Sequence, residues 1–347
     1  MVEIQPARVA TLKLLADGQW HSGVAMGRSL GLSRAAIWKQ VAALRELGMT
    51  IFTDRRRGYR LEHLIDLFNA DRIRAGLKPT VREAVEVLEV LTVTDSTNCR
   101  LTSRPAPPPG RLWVVIADYQ TGGRGRRGRR WLSPLGHGIC LSVARTFVTT
   151  PRELPSLSLV AGVAVADGLA HLGIEEVQLK WPNDVMAAGG KLGGILVEVA
   201  GEPGGPLRVV IGIGLNVRPI ESLAAALSEE RGDAPAAALD QMSGERRLNR
   251  SDVVAALLNA LHVSLQNFET DGWASMANGW QQRDFLAGRP VVVTRGAETV
   301  HGIARGIAED GALFVDVGGK LTTVVAGDVT LRAGTDVLQS GMTPVRM

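Results

Sequence analysis

The residues best suited to do chemistry lie in four short stretches. The densest is GGRGRRGRRW at 122–131, which sets Arg124, Arg126, Arg127, Arg129 and Arg130 among glycines and closes on Trp131. Glycines let a backbone approach a ligand closely, guanidinium groups neutralise phosphate, and an indole offers a flat face to a base. That combination suits a clamp that orders over a nucleotide being activated and excludes water. Gly123 to Gly128 also spells G-x-G-x-x-G, but a dinucleotide fingerprint needs a helix beginning inside it. Here Pro134 and Gly136 follow and work against a helix. No Gly-Lys-Ser/Thr closes the loop, so it is not a Walker loop either. The plain alternative is a basic turn that binds nothing.

The other stretches are QLKWPNDV (178–185), GGKLGGILVEV (189–199) and IGIGLNV (211–217). The first packs Lys180, Asn183 and Asp184 around Pro182, and an ammonium this close to a carboxylate suits a phosphate with its Mg²⁺. The second puts Lys191 on a glycine-rich turn entering a buried strand. The third ends a strand with Asn216 among glycines. Each alone could be an ordinary turn; their order and spacing together make the signal specific.

These stretches need a scaffold. RLWVVIADYQ (111–120) and LRVVIGIGLNV (207–217) read as strands, and ICLSVARTF (139–147) does so by alternation. LPSLSLVAGVAVADGLAHLG (154–173) reads as a buried helix. RSDVVAALLNALHVSLQNFETDG (250–272) reads as another, with Ser251 as its cap. RPAPPPGR (104–111) is a stiff connector, and residues 221–247, rich in Ala, Glu and Arg, suggest some helix without a role. From about 285, short strands between glycine turns suggest a small β-barrel, and the tail beyond 335 should fray.

The N-terminal residues form a separate zone. ARVATLKLLADG places Val9, Leu12, Leu14 and Leu15 near one helical face. Two further helices follow around Gly31, capped by Ser22 and Ser33, the second carrying Ile37, Val41, Leu44 and Leu47 at helical spacing. MTIFTDRRRGYRLE then folds back as a hairpin. The pattern is a winged helix-turn-helix. Residues 1–62 carry ten basic and five acidic side chains, a net +5 against +4 for the whole chain. Ser33, Arg34 and Lys39 begin the helix that would meet base edges and phosphates, and Arg55, Arg56 and Arg57 form the wing tip. A solvated bundle for protein contacts is the competing reading.

Composition narrows the function classes. A chain of 347 residues, 45% hydrophobic and 4% aromatic, accommodates two or three domains with aliphatic cores. An isoelectric point near 9.4 permits a polyanionic partner. Cys99 and Cys140 lack metal-ligand spacing and read as reduced thiols, and the six histidines form no Ser/His/Asp set. No stretch reads as a membrane span or signal peptide, so the expected location is the cytoplasm.

On these motifs the chain resembles the bacterial bifunctional biotin–protein ligase/biotin operon repressor family. The matching segments are DSTN (95–98), YQTGGRGRRGRRW (119–131), KWPNDV (180–185), KLGGILVE (191–198), GIGLN (212–216) and GDVTLR (327–332), with the winged module ahead of them. The resemblance covers about residues 7–335 and implies an α+β protein. Residues 1–63 would be the winged helix-turn-helix and 80–283 a mixed α/β ligase domain related to class II synthetases. Residues 284–335 would be an SH3-like β-barrel and 336–347 a tail.

It implies that biotin and Mg-ATP give biotinyl-5′-adenylate. The biotin then passes to a lysine on the biotin carboxyl carrier domain of a carboxylase. It implies that Ser96, Thr97, Asn98 and Gln120 meet biotin, and that Arg124, Gly125 and Arg126 order over it. Lys191 would meet the biotin carboxylate and α-phosphate, with Gly194 beside it. Trp131, Lys180, Asn183, Asp184, Asn216 and Arg332 would serve the nucleotide, Asp184 also Mg²⁺. The adenylate would promote a homodimer that binds operator DNA. Three alternatives remain: a sensor that does not ligate, opposed by Lys191 and the arginine loop; a lipoate or octanoate ligase, opposed by GRGRRGRRW and KWPND; and a ligase with a non-DNA-binding module, opposed by the basic wing.

Overall fold

A computed structural model describes residues 6–148, 153–201, 205–219, 235–244, 246–295, 298–325 and 330–333. The tail 336–347, residues 220–234 of the Ala/Glu/Arg-rich stretch, and 327–329 of GDVTLR lie outside them.

Helices α1 (Pro6–Leu15), α2 (Gly23–Leu30) and α3 (Arg34–Glu46) pack through Leu12, Leu15, Met26, Ile37, Val41 and Leu44. Between α2 and α3 the chain turns at Gly31, which adopts the left-handed conformation (φ 64°) that a side chain would strain. Ser33 caps α3, accepting from Ala36 N at 3.1 Å. Ser22 stands at the start of α2 without the expected side-chain cap bond. Strands β1 (Ile51–Asp54) and β2 (Gly58–Leu61) pair antiparallel as the wing. Asp54 accepts from Arg56 N and Arg57 N, fixing the arginine turn.

Two short helices, α4 (Ala70–Gly76) and α5 (Pro79–Ala84), lead into a seven-stranded sheet. Its strands are β3 (Val85–Thr94), β4 (Leu112–Gln120), β5 (Gly138–Phe147), β6 (Gln178–Lys180), β7 (Asp184–Ala187), β8 (Gly190–Gly201) and β9 (Leu207–Asn216), in the order β3-β4-β5-β9-β8-β7-β6. Only β3 and β4 run parallel, joined across α6 (Thr97–Thr102), as a parallel pair requires a crossover. Helices α7 (Leu157–Ala170) and α8 (Arg250–Asp271) cover one face, and Leu101 of α6 packs with Val115, Ala144 and Val210 on the other. This two-sided cover explains why β5 is buried at every residue instead of alternating. The cap of α8 is Asn249, which accepts from Ser251 N, whereas Ser251 Oγ accepts from Asn69 N. The cap therefore lies at Asn249, two positions before the expected Ser251, leaving Ser251 to hold the incoming chain.

Arg250 anchors the connector from the winged module. Its guanidinium is fully buried and reaches Asp118 Oδ1 (2.6 Å), Gly138 O (2.8 Å) and Asp66 O (2.9 Å), while its backbone N–H meets Asp66 Oδ2. Phe68 N also donates to Asp118. Every donor of this arginine needs such a partner, because a buried unpaired charge is strongly destabilising.

After α9 (Ala274–Gln281), strands β10 (Pro290–Arg295), β11 (Glu298–Ile307), β12 (Leu313–Val317), β13 (Lys320–Val324) and β14 (Thr330–Ala333) form an antiparallel sheet in the order β13-β12-β11-β10-β14. The buried Trp181 donates its indole N–H to Gly311 O at 2.9 Å, fastening this sheet to the KWPND segment. Among the described residues, no helix is long and apolar enough to cross a membrane.

Candidate functional site

Alternation along the central strands separates two faces. Ile139, Leu141 and Val143 on β5, and Ile211, Ile213 and Leu215 on β9, point into the core beneath α7 and α8. Cys140, Ser142, Gly212, Gly214 and Asn216 take the opposite face. The register carries that face across the sheet: Cys140 lies beside Gly214, Gly214 beside Gly194, Gly194 beside Asp184, and Asp184 beside Lys180. At about 4.8 Å per strand, the row from Cys140 to Asp184 spans about 14 Å, with two glycines in the middle. The two glycines thus let other groups approach the sheet closely here.

Two glycines are required by close neighbours. A Cβ on Gly214 would stand 2.5 Å from the Trp131 ring, and one on Gly212 would stand 2.3 Å from Asn98 Oδ1. Trp131 therefore lies flat against β9. It is held there by its backbone N–H to Gly123 O (2.9 Å), while Gly125 N donates to Arg129 O (2.7 Å). Those bonds fold the arginine stretch into a closed turn, with Arg127 at φ 55° near its apex. A single 3-10 turn at Arg126–Gly128 stands where a dinucleotide motif would start an α-helix.

One end of the row is polar, and its charged side chains, Arg124 and Glu198, pair with each other. Gln120 Oε1 accepts from Thr97 N (2.7 Å) and from Thr97 Oγ1 (3.1 Å). Ser142 Oγ lies 2.6 Å from Asn98 Oδ1 and 2.7 Å from Thr97 Oγ1. Asn98 Nδ2 donates to Glu198 Oε2 at 2.8 Å, so Asn98 has both ends of its amide on protein partners. Ser96 is buried and caps α6. The sequence reading missed Ser142 and Glu198. Ser142 had a signal, as a polar residue in an apolar strand, and Glu198 shares a strand face with Gly194.

The other end is charged. Lys191 Nζ meets Asp184 Oδ1 at 2.6 Å, and Gly194 lies against both residues. Arg126 Nη1 donates to Asn183 Oδ1 at 3.3 Å, and Asn183 Nδ2 is fixed by Ile195 O. Burial, then Arg127, pull the Arg126 guanidinium below the usual arginine range, and Asp184 opposes them. A half-buried cation among cations is stabilised by an arriving anion such as phosphate. Back at the polar end, Arg124 bonds Cys99 Sγ (3.3 Å) and pairs with Glu198 (3.1 Å), which together push its pKa up. Asn216 Nδ2 donates to Ala237 O (3.1 Å) beside the Lys191 backbone. Burial drives the Cys140 thiol up to about 12, so it is an inert neighbour of Gln120 and Trp131.

The structure thus gathers Thr97, Asn98, Gln120, Arg124, Arg126, Trp131, Asn183, Asp184, Lys191, Gly194 and Asn216 around one sheet face, with Lys180 in register at its edge. Arg332 lies on β14 beside Val292, and its side chain is outside the described residues. Arg34, Lys39, Arg55, Arg56 and Arg57 are exposed on the separate winged module. Among the described residues, no cluster of three His, Cys, Asp or Glu side chains could hold a metal ion.

Residues 90–216 match the model of the biotin/lipoate A/B protein ligase family, residues 10–60 an HTH domain, and residues 287–332 the biotin protein ligase C-terminal domain. The chain is 36% identical over 325 residues to the bifunctional ligase/repressor BirA of Escherichia coli, covering 93% of this chain and 96% of the relative. It is 39% identical over 248 residues to a biotin–[acetyl-CoA-carboxylase] ligase of Mycobacterium tuberculosis, covering 70% and 88%. Among solved structures, a biotin protein ligase from Aquifex aeolicus in complex with biotin and ATP is similar with a TM-score of 0.58 and 27% identity, covering 73% of this chain and all of that one.

Proposed function

This chain belongs to the biotin protein ligase family, in its bifunctional ligase/repressor branch, and we propose that the glycine-cleared sheet face is where it joins biotin to AMP. It is an ATP-dependent biotin–protein ligase with a transcriptional repressor module in the same chain. The observation that carries the site assignment is the trough itself. A neutral hydrogen-bonding network around Thr97, Gln120 and Ser142 faces one end, and Lys191, Asp184 and Arg126 stand at the other. Biotin has the same polarity, with a neutral ureido ring at one end and a carboxylate at the other.

In the first step a biotin carboxylate oxygen attacks the α-phosphorus of ATP, and the bond to pyrophosphate breaks. The two reacting groups are both anionic, so cations must bring them together. The Lys191 ammonium, held in place by Asp184, lies between them. Arg126 offsets the charge spread over the α-phosphate and the leaving pyrophosphate. Trp131, flat on Gly214, supports the adenine. Asp184 and Asn183 would supply the one or two protein oxygens that Mg²⁺ on the triphosphate needs, and the ion would neutralise phosphate charge there. Ser96, Asn98, Arg124 and Gly125 shape the biotin end, with Arg124 steered by Glu198. Lys180, Asn216 and Arg332 serve the nucleotide side.

In the second step the amine of an acceptor lysine, on a carboxylase carrier domain, attacks the acyl carbon, and AMP leaves. The closed turn at 123–131 keeps water from the mixed anhydride before that transfer. The winged module, at net +5, binds operator DNA as part of an adenylate-promoted homodimer in the cytoplasm.

Exchange of labelled pyrophosphate into ATP isolates the first step. The assignment expects exchange that depends on biotin and magnesium and that falls on substitution of Lys191 or Arg126. Undiminished exchange in both variants would remove these residues from the site.

A further inference from the structure

The recognition helix carries a large side chain that the phosphate-binding reading leaves unused. Trp38 is 57% exposed, although its neighbours Ile37 and Val41 are fully buried in the module core. It is the fifth residue of α3, in the N-terminal half, where such helices meet base edges. Ala35 and Ala42 lie one turn before and after it on the same outward face, so the indole projects beyond them. Arg34 and Lys39 flank it and are exposed.

An exposed tryptophan of this size is not there to balance charge. Its only polar atom is one N–H donor, so it cannot accept from the amino groups of adenine or cytosine. In the major groove the one apolar group on any base edge is the thymine methyl. The wing is already ordered for backbone contact: the Arg57 guanidinium stacks on Trp20 at 4.3 Å, and Arg60 lies 5.2 Å from the same ring. These cations fix the module on phosphates while α3 faces the bases.

We propose that Trp38 reads thymine methyl groups in the major groove and selects A·T pairs at one or two positions of each half-site. The proposal rests on the DNA-binding reading, and the test separates the two. The full chain, with biotin and Mg-ATP, is used to select from short duplexes with randomised centres, as wild type and as Trp38→Ala. The best wild-type duplex is then remade with single thymines replaced by uracil, which removes only the methyl group.

Wild type is expected to lose about fourfold in affinity at one or two positions per half-site on that replacement. Trp38→Ala is expected to bind thymine and uracil forms equally and to recover sequences without the preference. The salt dependence of its binding to a random duplex should match wild type, because the phosphate contacts remain. Unchanged biotin ligation by the variant shows that the chain is folded. Retained thymine–uracil discrimination in Trp38→Ala would overturn the proposal. So would an equal loss for every duplex, which makes Trp38 a backbone contact, or a change in oligomeric state alone, which makes it a protein contact. If wild type enriches no duplex, the DNA-binding reading fails, and the proposal falls with it.

Discussion

Lys191 Nζ and Asp184 Oδ1 lie 2.6 Å apart, on adjacent strands of the same sheet face. Both side chains are about a quarter to a third exposed, so the pair adds at most about 1 kcal/mol to stability. Its value is position: the carboxylate holds a flexible ammonium against Gly194 in the glycine row. Asp184→Asn should therefore leave the melting temperature nearly unchanged. The rate of adenylate formation should fall on the order of a hundredfold, since a small misplacement of a reacting group has effects of that size. Single-turnover adenylation measures it; a wild-type rate would mean that Lys191 needs no partner.

Gly214 gives the Trp131 indole its seat. Gly214→Ala places a methyl 2.5 Å from that ring and must lift it. The expected result is a loss of about 1–3 kcal/mol in stability. The KM for ATP should rise about tenfold, the equivalent of roughly 1.4 kcal/mol, with a smaller change for biotin. Equal changes in both KM values would argue that Trp131 does not serve the nucleotide.

Arg250 and Asp118 form a fully buried pair that also fastens Asp66 in the connector. Arg250→Met leaves the Asp118 carboxylate uncompensated. Urea unfolding should show a loss of about 3–5 kcal/mol. A loss below 1 kcal/mol would show that the connector is not held by this arginine.

Glu89 on β3 accepts from Arg100 and Arg104, which tie α6 and the chain beyond it to the sheet. Burial alone would raise its pKa, but the two arginines outweigh burial and hold it below its ordinary value of 4.5. A carboxyl lowered by folding contributes stability that is present above its unfolded pKa. That contribution is lost as pH falls through the folded one. Wild type should thus lose stability below about pH 4.5 more steeply than Glu89→Gln. Parallel acid-unfolding curves for the two proteins would contradict this.

The arginine loop, KWPND and KLGGILVE could be read from sequence because each is contiguous and chemically unusual. The pairing of Lys191 with Asp184 could not, since it depends on strand register across a β-bulge between Val185 and Met186. Glu198 was hidden for the same reason: its partners Asn98 and Arg124 are distant in sequence. Strand β5 reads as alternating because Ser142 and Arg145 interrupt its apolar run, yet helices cover both faces, with Ser142 bonded to Thr97 and Asn98 and Arg145 paired through one nitrogen with Glu269. The cap of α8 is Asn249 and not Ser251 because two capping residues two positions apart could serve, and a tertiary bond from Asn69 to Ser251 decided between them. Strand β3 carries no turn signal before it, since α5 runs directly into it.

The most direct test of the account is transfer of labelled biotin to a carboxylase acceptor domain, with and without Mg-ATP, by wild type and Lys191→Ala. The account predicts labelling that requires ATP and falls by about a hundredfold or more in the variant. A folded wild type that labels nothing, or a Lys191→Ala variant that labels at the wild-type rate, would contradict it.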